Sequence, residues 1–261
     1  MDFLYYPGCT LSTTAKQLDT YARLCAKELG IGLEEVKDWQ CCGAVFPLTS
    51  GQIGPKLAAV RVLVQSRDKN KPLITLCAAC HHVIKQVNHQ AKNDAEFREI
   101  IKNYDAQLTY AGEATVYHYM EVLRQYIGFD AIKKMTTNPL KGRKIGAYYG
   151  CLLLRPSDVM QFDDAEDPRM MEDFIRALGA TAIPYPMRNE CCGGYRALQD
   201  EEGTRTLCER IIASALSHGV RTVVTLCPLC QYQLTAAAGG DLDVCYFTEL
   251  LAEALDIDDD E

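Results

Sequence analysis

VTLCPLC, residues 224–230, repeats a phrase already written as ITLCAAC at residues 74–80. Each begins with a short β-branched and apolar run, the composition of a buried strand, and ends in Cys-x-x-Cys where a helix is expected to start. The unpaired N–H groups and the dipole of a first helical turn favour thiolates, so a strand that hands a cysteine pair to a helix N-terminus is half of an α/β unit with a ligand site at the strand's carboxyl end. Whether the whole unit repeats decides the fold.

The other cysteines follow the same repeat. Cys9 is followed after thirty-one residues by Cys41 and Cys42, and after thirty-four more by Cys77 and Cys80. Cys151 is followed after thirty-nine residues by Cys191 and Cys192, and after the same thirty-four by Cys227 and Cys230. LYYPGC (4–9) matches AYYGC (147–151), and QCCGA (40–44) matches ECCGG (190–194). The weaker pairs ELG (28–30) with ALG (177–179), and Val116, Glu121 and Leu123 with Val244, Glu249 and Leu251, extend the register. Such self-similarity makes the halves pseudo-equivalent units.

Length differences place the insertions. The second half is longer near RPSDVMQFDDAEDP (155–168), and the first is longer after Cys80, which predicts an additional helix within 91–108. NPLKGR (138–143) reads as the junction, dividing the chain into lobes 1–140 and 141–261. The fold class is α/β, two pseudo-symmetric lobes with mainly parallel short sheets flanked by helices. Strands are expected at 3–6, 72–76, 143–149 and 222–226.

The chain of 261 residues is 48% hydrophobic and 24% charged, enough to bury a core without covalent staples. The thirteen cysteines therefore bind something rather than cross-link the chain. MDFLYYPGC shows no basic leader ahead of a long apolar run, so the expected compartment is the reducing cytoplasm. No stretch reaches the length of a membrane span. A net charge of −8 with a pI near 5.2 excludes a general nucleic-acid binder, which needs a basic face. The acidic end DIDDDE reads as a solvated tail.

Three cysteines stand outside the repeat. Cys25 and Cys208 lie at the spacing of buried helix faces and Cys245 in the apolar run VCYF, so all three are read as core packing. The remaining ten make five per half. A mononuclear zinc site uses four thiolates and rarely takes two from consecutive positions, whereas an iron–sulfur cluster offers separate irons to neighbouring thiolates. Two other readings stay open at this point: a pair of zinc sites, and a pair of thioredoxin-like Cys-x-x-Cys centres.

The two copies of Cys-x31–39-Cys-Cys-Gly-x33-Cys-x-x-Cys resemble the duplicated cysteine-rich "CCG" domain, and the full set of ten cysteines resembles the catalytic CCG-domain subunits of heterodisulfide reductases, over roughly residues 3–251. The resemblance implies two noncubane [4Fe-4S] clusters, one on Cys9, Cys41, Cys42, Cys77 and Cys80 and the other on Cys151, Cys191, Cys192, Cys227 and Cys230. It implies reductive cleavage of a disulfide between them, the coenzyme M–coenzyme B heterodisulfide of methanogenesis or an analogue, with one electron from each cluster. Family members with fewer cysteines serve as electron-transferring iron–sulfur subunits of lactate, glycolate and other organic-acid oxidoreductases, which is the alternative function. The implied partners are a small subunit with two cubane clusters and a flavin subunit that bifurcates electrons, together with hydrogenase or formate dehydrogenase modules.

Further site candidates follow. His81 and His82, after Cys80, are read as proton donors. Gly43, Gly193 and Gly194 would let backbone approach a cluster or substrate closely. Arg155, Arg188 and Arg196 fall within five residues of a proposed ligand and would meet the anionic arms of the family's substrate.

Overall fold

The computed structural model describes residues 1–44, 51 and 53–257. Among them are eight short strands: β1 (Asp2–Tyr6), β2 (Gly32–Glu35), β3 (Leu73–Thr75), β4 (Val116–His118), β5 (Lys144–Tyr148), β6 (Thr181–Ala182), β7 (Thr222–Thr225) and β8 (Asp243–Tyr246). They form two four-stranded sheets of order β2-β1-β3-β4 and β6-β5-β7-β8. Every pairing is parallel. The second sheet repeats the first strand for strand, as the cysteine spacing requires.

Parallel strands need helical crossovers that cover both faces, so central strands become continuously apolar. β3 and β7 are buried at every residue, and β1 at all but its first. Register then fixes the equivalences between lobes. Tyr6 faces Thr75 and Thr75 faces His118 in the first sheet. Tyr148 faces Thr225 and Thr225 faces Tyr246 in the second. His118 and Tyr246 are thus counterparts, although their chemistry differs.

The helix Ala78–Asn93 opens at the first Cys-x-x-Cys and the helix Pro228–Ala238 at the second. The additional helix of the first half is Ala95–Tyr104, started by Asp94, whose carboxylate accepts from the Phe97 N–H at 3.0 Å. The insertion of the second half carries the one-turn helix Ser157–Met160, which packs onto Ala78–Asn93 of the first lobe. A reciprocal contact laces the lobes on the other side. There the helix Phe247–Leu255 packs on Lys16–Glu28, with the Thr248 hydroxyl donating to Leu18 O at 3.1 Å. The buried side chains form one continuous core through both sheets. Phe247 at its centre is fully buried, a contribution of about 1.5–3 kcal/mol by transfer.

Candidate functional site

All ten repeat cysteines gather beyond the carboxyl ends of β1, β3, β5 and β7, where open parallel sheets bind ligands. In the first lobe Cys41 Sγ lies 3.3 Å from Cys9 Sγ, while its neighbour Cys42 lies 3.4 Å from Cys80 Sγ. Each of the adjacent cysteines reaches a further sulfur, and the two also interact with one another. The second lobe repeats this, with Cys191 hydrogen-bonded to Cys151 and Cys192 Sγ 3.4 Å from Cys230 Sγ. Cys77 and Cys227 approach one another across the lobes closely enough for each to influence the other's titration, which brings the two quintets together.

Local backbone explains the positions. The Tyr6 hydroxyl donates to Gln40 O at 2.7 Å and the Tyr148 hydroxyl to Glu190 O at 2.8 Å. Each tyrosine thus ties the loop before a Cys-Cys pair to the end of the first strand of its sheet. The Gly43 N–H points at Cys41 Sγ at 3.4 Å, and those of Gly193 and Gly194 at Cys191 and Cys192 Sγ at 3.3 and 3.4 Å. Gly8, at φ +79°, lies so close to Cys80 that a Cβ there would stand 2.8 Å from its sulfur.

Three sulfurs, one in the first lobe and two in the second, are held as proton acceptors. Hydrogen bonds from Cys41 and Cys80 pull Cys42 below the ordinary thiol range. A hydrogen bond from Cys151 does the same for Cys191, and hydrogen bonds from Cys230 and Cys77 for Cys227. Five thiols per lobe, some already thiolate-like, with amide N–H groups aimed at sulfur and glycine where a side chain would collide, suit a polynuclear iron–sulfur group. Among the described residues no group of three or more His, Cys, Asp or Glu is placed to hold a metal ion.

The lobes meet at a pseudo-twofold contact that is not symmetric. The Ala78 N–H donates to Leu226 O at 3.1 Å. The reciprocal bond to Leu76 O is impossible because Pro228 has no N–H. The Tyr246 hydroxyl takes that place, donating to Leu76 O at 2.5 Å and reaching Leu226 O at 3.2 Å. His118, the counterpart of Tyr246, brings its ring to the same two carbonyls, yet its buried Nε2 has no hydrogen-bond partner among the described residues.

Beneath Cys80 a buried polar cluster continues from the axis. His81 Nδ1 hydrogen-bonds the Thr75 hydroxyl at 3.0 Å, and its Nε2 lies 3.5 Å from Glu121, which Lys85 approaches at 3.7 Å. Burial pushes His81 well down and Glu121 up. His82 donates from Nδ1 to Leu152 O at 2.8 Å and accepts from Gln86 at 2.6 Å. Both histidines read as proton donors are therefore buried, near the start of the helix Ala78–Asn93.

The three arginines are each committed to a carboxylate: Arg155 to Glu166 at 3.1 Å, Arg188 to Asp167 at 2.5 Å and Glu172 at 3.1 Å, and Arg196 to Asp200. None of them lines the enclosed cavity against Cys151, Cys191, Cys192, Cys227 and Cys230. Cys25 and Cys208 are fully buried, and burial raises both thiols to about 12. Cys245 is half-buried and also raised. The sequence did not flag His118, Glu121, Lys85 or Tyr246, although the repeat register pairing Glu121 with Glu249 marks where two of them belong.

The family model described as the CCG cysteine-rich domain matches the chain twice, over residues 3–85 and 145–235. The 8-methylmenaquinol:fumarate reductase membrane anchor subunit of Wolinella succinogenes is 31% identical over 89% of this chain and 81% of its own length. A subunit of the ferredoxin:CoB-CoM heterodisulfide reductase of Methanosarcina mazei is 26% identical over 97% and 89%. A protein of Archaeoglobus profundus, named for its likeness to the same heterodisulfide reductase subunit, is 26% identical over 88% and 79%. Among solved structures, a hypothetical protein from Helicobacter pylori shares the fold, with a TM-score of 0.73 at 11% identity over 97% of this chain. The chain spans about half of that protein's length, 49%.

Proposed function

The chain belongs to the family built on the cysteine-rich CCG domain, and on that premise we propose that it is the catalytic subunit of a heterodisulfide reductase. The observation that carries the proposal is the completeness of both sulfur quintets and their contact through Cys77 and Cys227. A relay subunit needs a chain of centres, whereas two equivalent sulfur sites meeting at an axis suit a bond that is divided in two. The reaction is R–S–S–R′ + 2 e⁻ + 2 H⁺ → RSH + R′SH.

Cys9, Cys41, Cys42, Cys77 and Cys80 would hold one noncubane [4Fe-4S] cluster, and Cys151, Cys191, Cys192, Cys227 and Cys230 the other. Bound there, each cluster supplies one of the two electrons. The protein's own part is positioning and proton supply. Tyr6 and Tyr148 fix the Cys-Cys loops, and Gly43, Gly193 and Gly194 allow close approach. His81 and His82 are held neutral by burial, so each would pass a proton from one ring nitrogen to the other rather than store one, and His81 is the better placed because Glu121, raised by burial, lies 3.5 Å from its Nε2. Electrons come from partner subunits, proposed as one carrying cubane clusters and one carrying flavin. No helix among the described residues is long and apolar enough to cross a membrane.

One observation favours a second reading. The Wolinella relative is more similar than the two heterodisulfide reductase relatives and is named for a fumarate reductase, so an electron-transferring role in an organic-acid oxidoreductase competes. Anaerobic preparation with iron and sulfide analysis tests the shared part: roughly eight irons are expected from two four-iron clusters. Cys41→Ala and Cys191→Ala should each lose about half of them, and Cys25→Ala none. Reduced viologen oxidised only when a disulfide is added supports the reductase; dye oxidation indifferent to disulfides removes it.

A further inference from the structure

The repeat that sets the sulfurs also sets a groove between the lobes along each Cys-x-x-Cys helix, and the second lobe's insertion occupies the start of only one, leaving a polar cavity of about 600 Å³ further along it. Along Ala78–Asn93 lies the insertion of the second lobe. His82 donates to Leu152 O, Lys85 donates to Met160 O, and the side chains of Met160 and Phe162 are buried. Chain carbonyls take the polar positions and apolar side chains take the rest.

The counterpart along Pro228–Ala238 faces the shorter segment after Cys9, which has no such insertion. It remains an open groove of about 900 Å³, bordered by Thr10, Thr14, Leu229, Tyr232, Thr235 and Val244 among others. That volume lies in the range of small-molecule sites. In register, Tyr232 and Thr235 stand where His82 and Lys85 stand, so neutral hydroxyls replace the two cationic or titratable donors. Among the described residues the groove is lined by no charged side chain. Leu229 borders both this groove and the cavity against the second quintet, and is the partition between them.

We propose that this groove receives one arm of the substrate, and that the arm is an uncharged, extended apolar chain bearing a carbonyl or ether oxygen. This rests on the reading of the site as a disulfide reductase and narrows its substrate to disulfides with at least one such arm. Where the insertion meets the helix, the groups taken in are the apolar side chains of Met160 and Phe162 and the carbonyls of Leu152 and Met160. A carboxylate or phosphate on that arm would have no cation to meet, since Arg155, Arg188 and Arg196 are already paired with acids.

The test uses the full-length, iron-loaded chain and the uncharged dye Nile red, then the electron-donating complex with two disulfides, dibutyl disulfide and the dianion dithiodipropionate. Ala236→Glu and Thr14→Glu place a charge at exposed groove positions, where the fold tolerates it. Thr206→Glu, exposed on another helix, is the control. Parent protein should bind Nile red, and the two groove variants should bind it about tenfold more weakly and raise KM for dibutyl disulfide by about tenfold with kcat held. Dye binding that the groove variants abolish, with neither disulfide reduced, keeps the groove assignment and removes the reductase reading. Parent protein that does not bind the dye, binding that ignores both variants, or a KM for dithiodipropionate at or below that for dibutyl disulfide overturns the proposal.

Discussion

At the residue after the second cysteine of each Cys-x-x-Cys, the first lobe has His81 and the second Gln231. Gln231 makes a plain amide-to-carboxylate hydrogen bond to Glu249 at 2.9 Å, while His81 stands 3.5 Å from Glu121 with its Nε2 unpartnered among the described residues. Tyr246 spans the lobe contact with a donated hydrogen bond, and His118 only approaches it. Duplication has kept the sulfurs and the sheet order but exchanged the polar groups beneath them. Sulfur geometry is therefore shared by the lobes, whereas the buried histidine cluster belongs to the first. A buried unsatisfied group costs about 1–3 kcal/mol, and two such atoms among the described residues, Nε2 of His81 and Nε2 of His118, lie in the first lobe's polar cluster beneath the sulfurs.

The largest expected difference between the lobes concerns the glycines before Cys9 and Cys151. Both take positive φ, but a Cβ on Gly8 would stand 2.8 Å from Cys80 Sγ and one on Gly150 3.6 Å from Cys230 Sγ, an ordinary contact. Gly8→Ala should lose about half the iron, because the ligand sulfur must move. Gly150→Ala should keep its iron and lose about 1–2 kcal/mol of stability, the cost of the left-handed backbone. Iron analysis beside denaturant unfolding reads both. Equal iron in the two variants breaks the argument that sulfur position limits the first site.

A smaller effect tests the lobe contact. Tyr246→Phe strands Leu76 O, since Pro228 has no N–H, and should cost about 1–3 kcal/mol. Adding Pro228→Ala to that variant supplies the missing donor in the symmetric position, and should return about 0.5–1.5 kcal/mol. A double variant no more stable than Tyr246→Phe would mean that the contact's asymmetry has another origin.

The sheets and the cysteine sites were legible because both repeat. Parallel strands buried on two faces leave continuous apolar runs, and sulfur ligands leave spacing. The strand expected at 72–76 lies at Leu73–Thr75, and the additional helix within 91–108 lies at Ala95–Tyr104. His118 and Tyr246 left no such mark, because their importance comes from carbonyls of Leu76 and Leu226, more than a hundred residues apart, that only the lobe contact brings together. The arginines illustrate the opposite failure. Nearness in sequence to a ligand said nothing about Glu166, Asp167, Glu172 and Asp200, which folding places on them.

The smallest effect separates His118 from Tyr246 by pH. Burial pulls His118 down to about 3, whereas the unfolded side chain titrates near pH 6.5. Between those values the unfolded chain binds a proton that the folded chain refuses, so the stabilising contribution is complete above about pH 6.5 and is lost as the pH falls, by at most about 1.4 kcal/mol per pH unit. His118→Asn keeps an acceptor for the Met120 N–H, now 3.2 Å from Nδ1, but removes the titration. Denaturant midpoints from about pH 7 to about pH 5 should therefore fall less steeply in this variant than in the parent. Tyr246, pushed further above its already high range by burial, is neutral throughout, so Tyr246→Phe should lower the whole curve without changing its slope. If His118→Asn also shifts the curve in parallel, the first lobe's polar cluster is a packing feature and the assignment of proton chemistry to that lobe fails.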